Sequence, residues 1–200
     1  MVEASWETQS LAARERGGAL GDEHRLVELA QGGDRQAFAV LIDRYWNSLY
    51  RWLYHLSHDR DTAEDLVQET LLKAFAGLSS FQAGGHFRAW LYRIAYNGFI
   101  NVRRTEGSSR AHFPKYVPGL QQGPPETLIS KEVLQAVALA LGRLPREFRA
   151  ALLLRVEERL SFRDVAEVLG ITEGTARWRV FKARQKLMAS LASILDEDNE

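Results

Sequence analysis

The chain has no cysteine among its 200 residues, which limits the kinds of site it can contain. It cannot form a disulfide framework, a thiolate zinc site or a cysteine nucleophile. An absence of disulfides fits a reducing compartment, so we expect a cytoplasmic protein. Long apolar runs are missing too, because no window approaches the ~20 apolar residues of a membrane-spanning helix. The N-terminal segment lacks a basic patch followed by an apolar run, so we expect neither export nor membrane insertion.

Net charge is also absent, since 26 basic residues balance 26 acidic ones. This balance says little about partners, because the charges are segregated along the chain. Residues 59–69 carry five acids against one arginine, whereas residues 87–105 contain no acid. Residues 174–187 carry five basic residues and no acid, and the last five residues are again acidic. We therefore expect separate acidic and basic surfaces.

Helical periodicity runs through most of the chain, and no segment alternates with period two over a strand's length. Asp34 is expected to cap a long amphipathic helix, and Asp61 with Glu64 to form a capping box at the start of another. Ser161, with Asp164 three residues on, is expected to cap a third helix. The sequence therefore predicts an all-α protein.

Proline is scarce, and four of the five prolines fall between residues 105 and 127 together with glycine and serine. Such a segment without periodicity is typical of a linker between domains. The predicted organisation is a leader at 1–22, a helical domain at 23–104, a linker at 105–127, a second helical domain at 128–195 and an acidic tail at 196–200.

The second domain contains the pattern of a helix-turn-helix. Gly170 ends a short helix, and a helix capped near Thr172 follows after a tight turn. In such a motif the second helix enters the major groove of DNA. Its basic residues between 174 and 187 suit phosphate contacts, which make binding salt-dependent. The alternative is a solvated basic helix in which Trp178 and Phe181 are partly buried.

The stretches "DTAEDLVQE" and "FRAWLYRIAYN", together with the helix-turn-helix, resemble the extracytoplasmic-function (ECF) group of the sigma-70 family of bacterial RNA polymerase initiation factors. The resemblance covers roughly residues 25–104, similar to the family's second conserved region, and 128–192, similar to its fourth. It implies a non-enzymatic specificity subunit, without a cofactor, that recognises promoters and joins core RNA polymerase.

The resemblance implies a polymerase-binding surface on the helix of the first stretch, which would dock on the β′ coiled coil, while the β flap is a further expected contact. An acidic face with a glutamine suits a basic partner helix and repels DNA. The alternative is ordinary solvated helix surface. The residues that carry over are Asp61, Glu64, Asp65, Gln68 and Glu69.

The resemblance also implies contacts to duplex and melted promoter DNA. Aromatic residues in a basic setting suit unstacked bases, and the loop between two helices would capture a flipped base of the minus-ten element. Phe75, Phe87 and Leu91 are expected to pack in the core instead. The minus-ten residues would be Phe81, Gln82, Ala83, Gly84, Gly85, His86, Arg88, Trp90, Arg93, Asn97 and Asn101. The minus-thirty-five residues would be Thr172, Thr175, Arg177, Trp178, Arg179, Phe181, Lys182 and Arg184.

The chain departs from the family pattern in its recognition helix. The family usually has valine at the position of Ala176 and a small hydroxyl residue at that of Trp178. A tryptophan cannot make the same hydrogen bonds to a base edge, so we expect a different minus-thirty-five preference. By the family's habit, we also expect an anti-sigma factor that covers the polymerase-binding surface.

Two other classes of protein fit parts of the pattern. A metal-dependent helical enzyme could use Glu64, Asp65 and Glu69 with His55 or His58, but these carboxylates lie on the polar side of a helix start and no Glu-x-x-His motif occurs. A stand-alone helix-turn-helix regulator would bind duplex DNA by itself. It would have no use for the acidic surface.

Overall fold

The computed structural model describes residues 22–82, 85–106 and 131–197. The predicted leader up to residue 21, Ala83 and Gly84 of the loop, most of the linker and the last three residues of the tail lie outside the described residues.

Within the described ranges the chain forms eight α-helices, one short 3-10 turn and no strand, so the predicted all-α fold is confirmed. The helices are α1 (22–31), α2 (Arg35–Ser57), α3 (Arg60–Gly77), α4 (Phe87–Glu106), α5 (Lys131–Arg143), α6 (Arg146–Val156), α7 (Phe162–Leu169) and α8 (Glu173–Glu197), with the 3-10 turn at Leu78–Ser80 after α3.

The helices form two groups that also contact each other. In the first group α3 packs between α2 and α4, and in the second α8 packs against α5, α6 and α7. Trp52 lies at the centre of the first group, fully buried, with its ring 5.2 Å from that of Tyr92 on α4. The groups meet where α7 lies against α4 and α6 against α2.

Two of the predicted helix caps are confirmed. The side chain of Asp34 accepts hydrogen bonds from the backbone amides of Gln36 and Ala37 at the start of α2. Ser161 and Asp164 form a reciprocal capping box at the start of α7. These caps use local hydrogen bonds, so the sequence alone indicates them.

The predicted cap of α3 is wrong. Asp59, not Asp61, accepts from the backbone amide of Thr62 at 2.8 Å and from its hydroxyl at 2.6 Å. His58 ends α2 with a left-handed backbone, φ 59°, and leaves only one residue before α3. Because the connection is so short, the helix begins two residues earlier than its local pattern indicates, and Asp61 lies in the first turn.

Two helices extend past the predicted domain bounds, and a third ends at an unusual backbone conformation. α4 continues to Glu106, into the predicted linker, and α8 to Glu197, into the predicted tail. α6 stops at Val156 because Arg159 adopts φ 53° and the Leu160 amide returns to the Leu154 carbonyl at 3.1 Å. A non-glycine residue in this conformation has no clear sequence signal.

The buried face of α3 does not include Phe75, which the sequence predicts to pack in the core. Ala63, Leu66, Val67, Thr70, Leu71 and Ala74 are buried, whereas Phe75 is 54% exposed. Ala74 and Leu78 occupy the inward positions at this end of the helix. The ring of Phe75 instead lies at the edge of the core, 5.0 Å from that of Phe38. Phe87 and Leu91 are buried as expected.

The turn between α7 and α8 has the expected helix-turn-helix form. Gly170 adopts φ 64°, which a residue with a Cβ rarely does, and the Ile171 amide donates to the Ala166 carbonyl at 3.0 Å. Thr172 accepts from the Thr175 amide at 3.2 Å. α8 therefore leaves the turn with its first residues exposed.

Replacing Ser161 with alanine should lower the free energy of unfolding by about 1 kcal/mol, because it removes half of the capping box. Chemical denaturation followed by circular dichroism measures the change. Ser190→Ala is the control, since the buried Ser190 hydroxyl has no partner among the described residues and alanine is the better helix former. It should leave stability unchanged or raise it. Equal losses in both variants would contradict the capping role.

Candidate nucleic-acid and protein interfaces

The acidic residues of α3 form one exposed surface, as the sequence predicts. Asp61, Glu64, Asp65, Gln68 and Glu69 all face solvent on the side opposite the buried stripe. We call these five residues the acidic face.

The last carboxylate of the acidic face is held by its neighbours on α3 and α4. Glu69 pairs with Lys73 at 2.6 Å. Gly98 of α4 lies behind it, where an added Cβ would be only 3.3 Å from Leu66. The close contact between α3 and α4 therefore fixes the position of the helix that carries the acidic face.

The loop between α3 and α4 starts from an aromatic cluster. The ring of Phe81 lies 5.7 Å from that of Phe87 and 5.1 Å from that of Trp90. Phe81 is half-buried by these contacts, whereas Gln82, Gly85 and His86 are exposed. We call residues 81–86 the α3–α4 loop. Phe81 and Trp90 thus support this loop, and its exposed residues are available for contact.

Gly85 allows the α3–α4 loop to fold back on itself. Its amide donates to the Gln82 carbonyl at 3.1 Å. A Cβ on Gly85 would lie 3.1 Å from the Phe81 ring and 3.2 Å from that same carbonyl. A larger residue would push the ring or the turn away.

Sequence reasoning missed one residue of this region, Gln31 at the end of α1. Its side-chain amide donates to the carbonyls of Leu78 and Phe81, at 2.9 Å and 2.7 Å. These partners are 47 and 50 residues away along the chain. No local pattern could indicate such a contact.

The outer side of α4 presents a polar row. Arg93, Asn97 and Asn101 are spaced four residues apart and are all exposed. Arg88 is less available for contact with DNA, since its guanidinium lies 5.6 Å from the centre of the Tyr45 ring. The structure thus brings three of the predicted minus-ten residues together on one side of α4.

The second helical group covers part of this polar region. Three predicted minus-ten residues have partners there: His86 lies 3.2 Å from Asp164, Arg93 lies 3.5 Å from Glu167, and Arg88 donates to the backbone carbonyl of Glu158 at 3.0 Å. His86 and Arg93 remain more than half exposed. The Arg93–Glu167 pair is exposed on both sides and is therefore weak, whereas the contacts of His86 and Arg88 are partly buried.

A buried arginine joins the two groups at a second point. Arg149 of α6 is 3% exposed and donates to the carbonyls of Leu141 and Gly142. It also lies 2.6 Å from His58 Nε2. Burial, together with the Arg149 charge, lowers the pKa of His58 to about 3. His58 is therefore neutral, and its Nε2 accepts the hydrogen bond from Arg149.

The recognition helix α8 exposes most of its predicted DNA residues. Arg177, Trp178, Phe181 and Arg184 are exposed, Thr175, Arg179 and Lys182 are partly buried, and Thr172 is exposed in the turn. The hydroxyls of Thr172 and Thr175 hydrogen-bond to each other at 2.8 Å. The predicted surface is therefore continuous along the first turns of α8.

Trp178 is neither a core residue nor a free one. It is 52% exposed, and its ring meets that of Phe148 on α6 edge-on, with centroids 5.5 Å apart. Such aromatic contacts hold a ring in one orientation. Trp178 is therefore presented to solvent from a fixed position.

Arg177, beside it on α8, is also held in place. It pairs with Glu173 and lies 4.7 Å from the centre of the Phe162 ring. Its guanidinium is still 61% exposed, so it remains within reach of a phosphate.

The metal-site alternative has little support in the geometry. His55 is buried at 5% exposure, away from the exposed carboxylates of Glu64, Asp65 and Glu69. In the part of the chain that the structure describes, no three His, Cys, Asp or Glu side chains are placed to hold a metal ion. Among the same residues, no helix is long and apolar enough to span a membrane.

Comparison with known proteins gives matches in both helical groups. The family model for sigma-70 region 2 matches residues 41–109, and that for sigma-70 region 4 matches residues 134–187. The RNA polymerase sigma-H factor of Pseudomonas aeruginosa is 31% identical over 88% of this chain and 96% of its own length. The ECF RNA polymerase sigma-E factor of Haemophilus influenzae is 32% identical over 82% and 93%.

The chain belongs to the ECF group of the sigma-70 family. It is a sigma factor, which directs RNA polymerase to promoters, and the resemblance inferred from the sequence is confirmed. The match to region 2 in addition to the helix-turn-helix disfavours a stand-alone regulator.

Solved structures agree with this assignment. The sigma factor RpoE of Bartonella quintana, in complex with the anti-sigma factor NepR, is 31% identical with a TM-score of 0.65, over 78% of this chain and 96% of that one. CnrH, in complex with the cytosolic domain of CnrY, is 25% identical with a TM-score of 0.65, over 86% and 98%. This sigma factor therefore shares its fold with a sigma factor whose structure was solved in complex with an anti-sigma factor.

Stability of the sigma factor should fall as the pH drops from 7 to 5, in part through His55. Burial, then the charges of Arg149 and Arg51, lower its pKa from 6.5 to about 4. Between these values the unfolded chain takes up a proton that the folded chain excludes, so folding loses free energy as pH falls. At pH 5 this one group should account for about 2 kcal/mol.

Chemical denaturation at both pH values, with wild type and His55→Gln, tests this expectation. The variant should lose less stability on acidification than wild type, because glutamine does not titrate. Identical losses in the two proteins would show that His55 is not the group responsible.

Proposed function

We propose that this sigma factor binds core RNA polymerase through the acidic face of α3. The observation that carries the proposal is that Asp61, Glu64, Asp65, Gln68 and Glu69 are all exposed on one side of one helix. A basic helix such as that expected in the β′ coiled coil would meet complementary charge there. The β flap is a second expected contact.

We propose that the α3–α4 loop and the outer side of α4 recognise and open the minus-ten element. The loop would capture a flipped base through Gln82, Ala83, Gly84, Gly85 and His86, supported by Phe81 and Trp90. Arg88, Arg93, Asn97 and Asn101 would line the non-template strand or the adjacent duplex. Exposed polar side chains beside an aromatic cluster support this role.

We propose that α8 reads the minus-thirty-five element in the major groove. Thr172, Thr175, Arg177, Trp178, Arg179, Phe181, Lys182 and Arg184 form the expected contact surface. The exposure of its basic residues supports phosphate binding, and the fixed position of Trp178 supports contact with a base or a thymine methyl.

We further propose that an anti-sigma factor holds this protein inactive by covering the acidic face. RpoE, a solved relative with the same fold, is described in complex with the anti-sigma factor NepR, and CnrH is described in complex with the cytosolic domain of CnrY. In this role the chain is a non-enzymatic subunit that acts in the cytoplasm, and catalysis belongs to the polymerase.

Co-elution with bacterial core RNA polymerase, followed by run-off transcription from a promoter pool, tests the function as a whole. We expect a stable complex that initiates from a defined subset of promoters. Tight binding to duplex DNA without any binding to polymerase would overturn the proposal in favour of a stand-alone regulator.

Asp65→Lys should weaken polymerase binding by at least tenfold, about 1.4 kcal/mol, because it replaces attraction with repulsion at a complementary surface. Asp43→Lys, an exposed residue of α2, changes the net charge equally and is the control. Affinity for core polymerase and thermal unfolding are measured for both variants. Normal binding by a folded Asp65→Lys protein would refute the assignment of the acidic face.

Trp178→Ser should change the preferred minus-thirty-five sequence while polymerase binding stays the same, because serine restores a hydroxyl that can bond a base edge. Selection from a library randomised at that element measures the preference. Phe148→Leu removes the ring contact but keeps the tryptophan, so it should cost about 1 kcal/mol of stability without a new preference. An unchanged preference in Trp178→Ser would limit that residue to packing.

A further inference from the structure

The end of α1 is tied to the start of the α3–α4 loop by a single side chain. Gln31 Nε2 donates to the Leu78 carbonyl at 2.9 Å and to the Phe81 carbonyl at 2.7 Å. The two acceptors lie at the first residue of the 3-10 turn and at the residue that follows it. One amide therefore bridges both ends of the turn that leads into the loop.

We propose that Gln31 is a positioning residue for base selection, which fixes the backbone of Phe81 where the chain enters the α3–α4 loop. This inference rests on the proposed function of the loop and extends it to a residue of α1, outside residues 61–69 and 87–97. Gln31 does not reach the DNA itself; it acts through the backbone of Phe81.

The donor side of this contact is well fixed. α1 ends directly after Gln31 in a tight turn, in which Gly33 adopts φ 95° and the Asp34 amide donates to the Leu29 carbonyl at 3.0 Å. Asp34 then caps α2. The backbone of Gln31 is thus fixed between the end of α1 and the N-cap of α2. Its side chain therefore extends from a rigid backbone.

The acceptor side is fixed by different forces. The Leu78 carbonyl already accepts the Phe81 amide at 3.1 Å, and Gln31 supplies its second hydrogen bond. The Phe81 ring is held between Phe87 and Trp90. Ring packing anchors the side chain of Phe81, and Gln31 anchors its carbonyl. These two contacts together fix the direction in which the chain enters the loop.

The chemistry of the contact is specific to a neutral amide. The Nε2 group has two N–H donors, and the two carbonyls use both. Glutamate in the same place would direct carboxylate oxygens at carbonyl oxygens, and alanine would leave the carbonyls to water. Water can satisfy these half-buried carbonyls but cannot hold their positions, so we expect a loss of loop order more than a loss of folding.

Order in the loop matters because base capture is costly. A flipped base has lost its stacking, and a loop that must also become ordered adds an entropic cost to capture. A preorganised loop avoids this second cost and distinguishes the correct base from others by a fixed geometry. Substitution of Gln31 should therefore change the discrimination between bases more than it changes thermal stability, polymerase affinity or duplex binding.

The experiment uses the full chain assembled with core polymerase and short non-template oligonucleotides that carry each of the four bases at every minus-ten position. Wild type, Gln31→Ala, Gln31→Glu and Gln36→Ala are compared. Gln36 is an exposed glutamine on α2 and serves as the matched control. Thermal unfolding, polymerase affinity and binding to minus-thirty-five duplex are measured in parallel.

We expect Gln31→Ala to reduce the preference for the best base at the captured position roughly tenfold, comparable to the loss of one net hydrogen bond. Gln31→Glu should reduce it at least as much. Polymerase affinity, duplex binding and the unfolding midpoint should stay close to wild type, and Gln36→Ala should behave as wild type throughout.

Full base discrimination in Gln31→Ala would overturn the inference. So would a parallel loss of discrimination, polymerase affinity and thermal stability, because that result would show a merely structural role. A wild-type complex with no base preference at any minus-ten position would instead overturn the proposed function of the loop. The failure of the inference and the failure of the function are thus distinguishable.

Discussion

A buried cation sets the packing at the junction of the two helical groups. Arg149 is almost fully enclosed, so each of its N–H groups that lacks water needs an acceptor nearby. Its Nη1 group finds them in the carbonyls at the end of α5 and in His58, the residue that ends α2, whereas its buried Nε has no partner among the described residues. The position of α6 against α2 and the short connection from α2 to α3 therefore depend on one another. The acidic face begins immediately after that connection, so its direction is set by the same junction.

Features with local chemical causes could be predicted from the sequence. Asp34 and Ser161 cap helices through hydrogen bonds to residues two or three positions away, and Gly170 adopts a backbone conformation that favours glycine. The acidic face could be predicted for the same reason, since helical spacing alone places its carboxylates on one side. The all-α fold and the helix-turn-helix follow from many such local signals that agree with each other.

Features that depend on distant contacts could not be predicted. Asp59 and Asp61 are both able to cap a helix, and only the conformation of His58 decides between them. Phe75 fits the apolar stripe of α3 but lies where the core ends. Gln31 contacts residues about 50 positions away, and nothing near it in the chain indicates this. For Phe75 and Gln31 the deciding neighbours belong to another part of the fold, and His58, although next to Asp59 in the chain, contacts Arg149 of α6.

The ion pairs between α4 and α7 affect how this protein should respond to salt. A lysine or arginine that is free in solution releases a counterion when it binds a phosphate, and each such release steepens the salt dependence of binding. In the proposed contact with DNA, Arg93 would leave the carboxylate of Glu167, which would then attract a cation of its own, so fewer ions would be released in total. His86 also faces a carboxylate, that of Asp164. The salt dependence of promoter binding would therefore understate the number of phosphates contacted, because a carboxylate freed on the protein takes up part of the cations that the DNA releases.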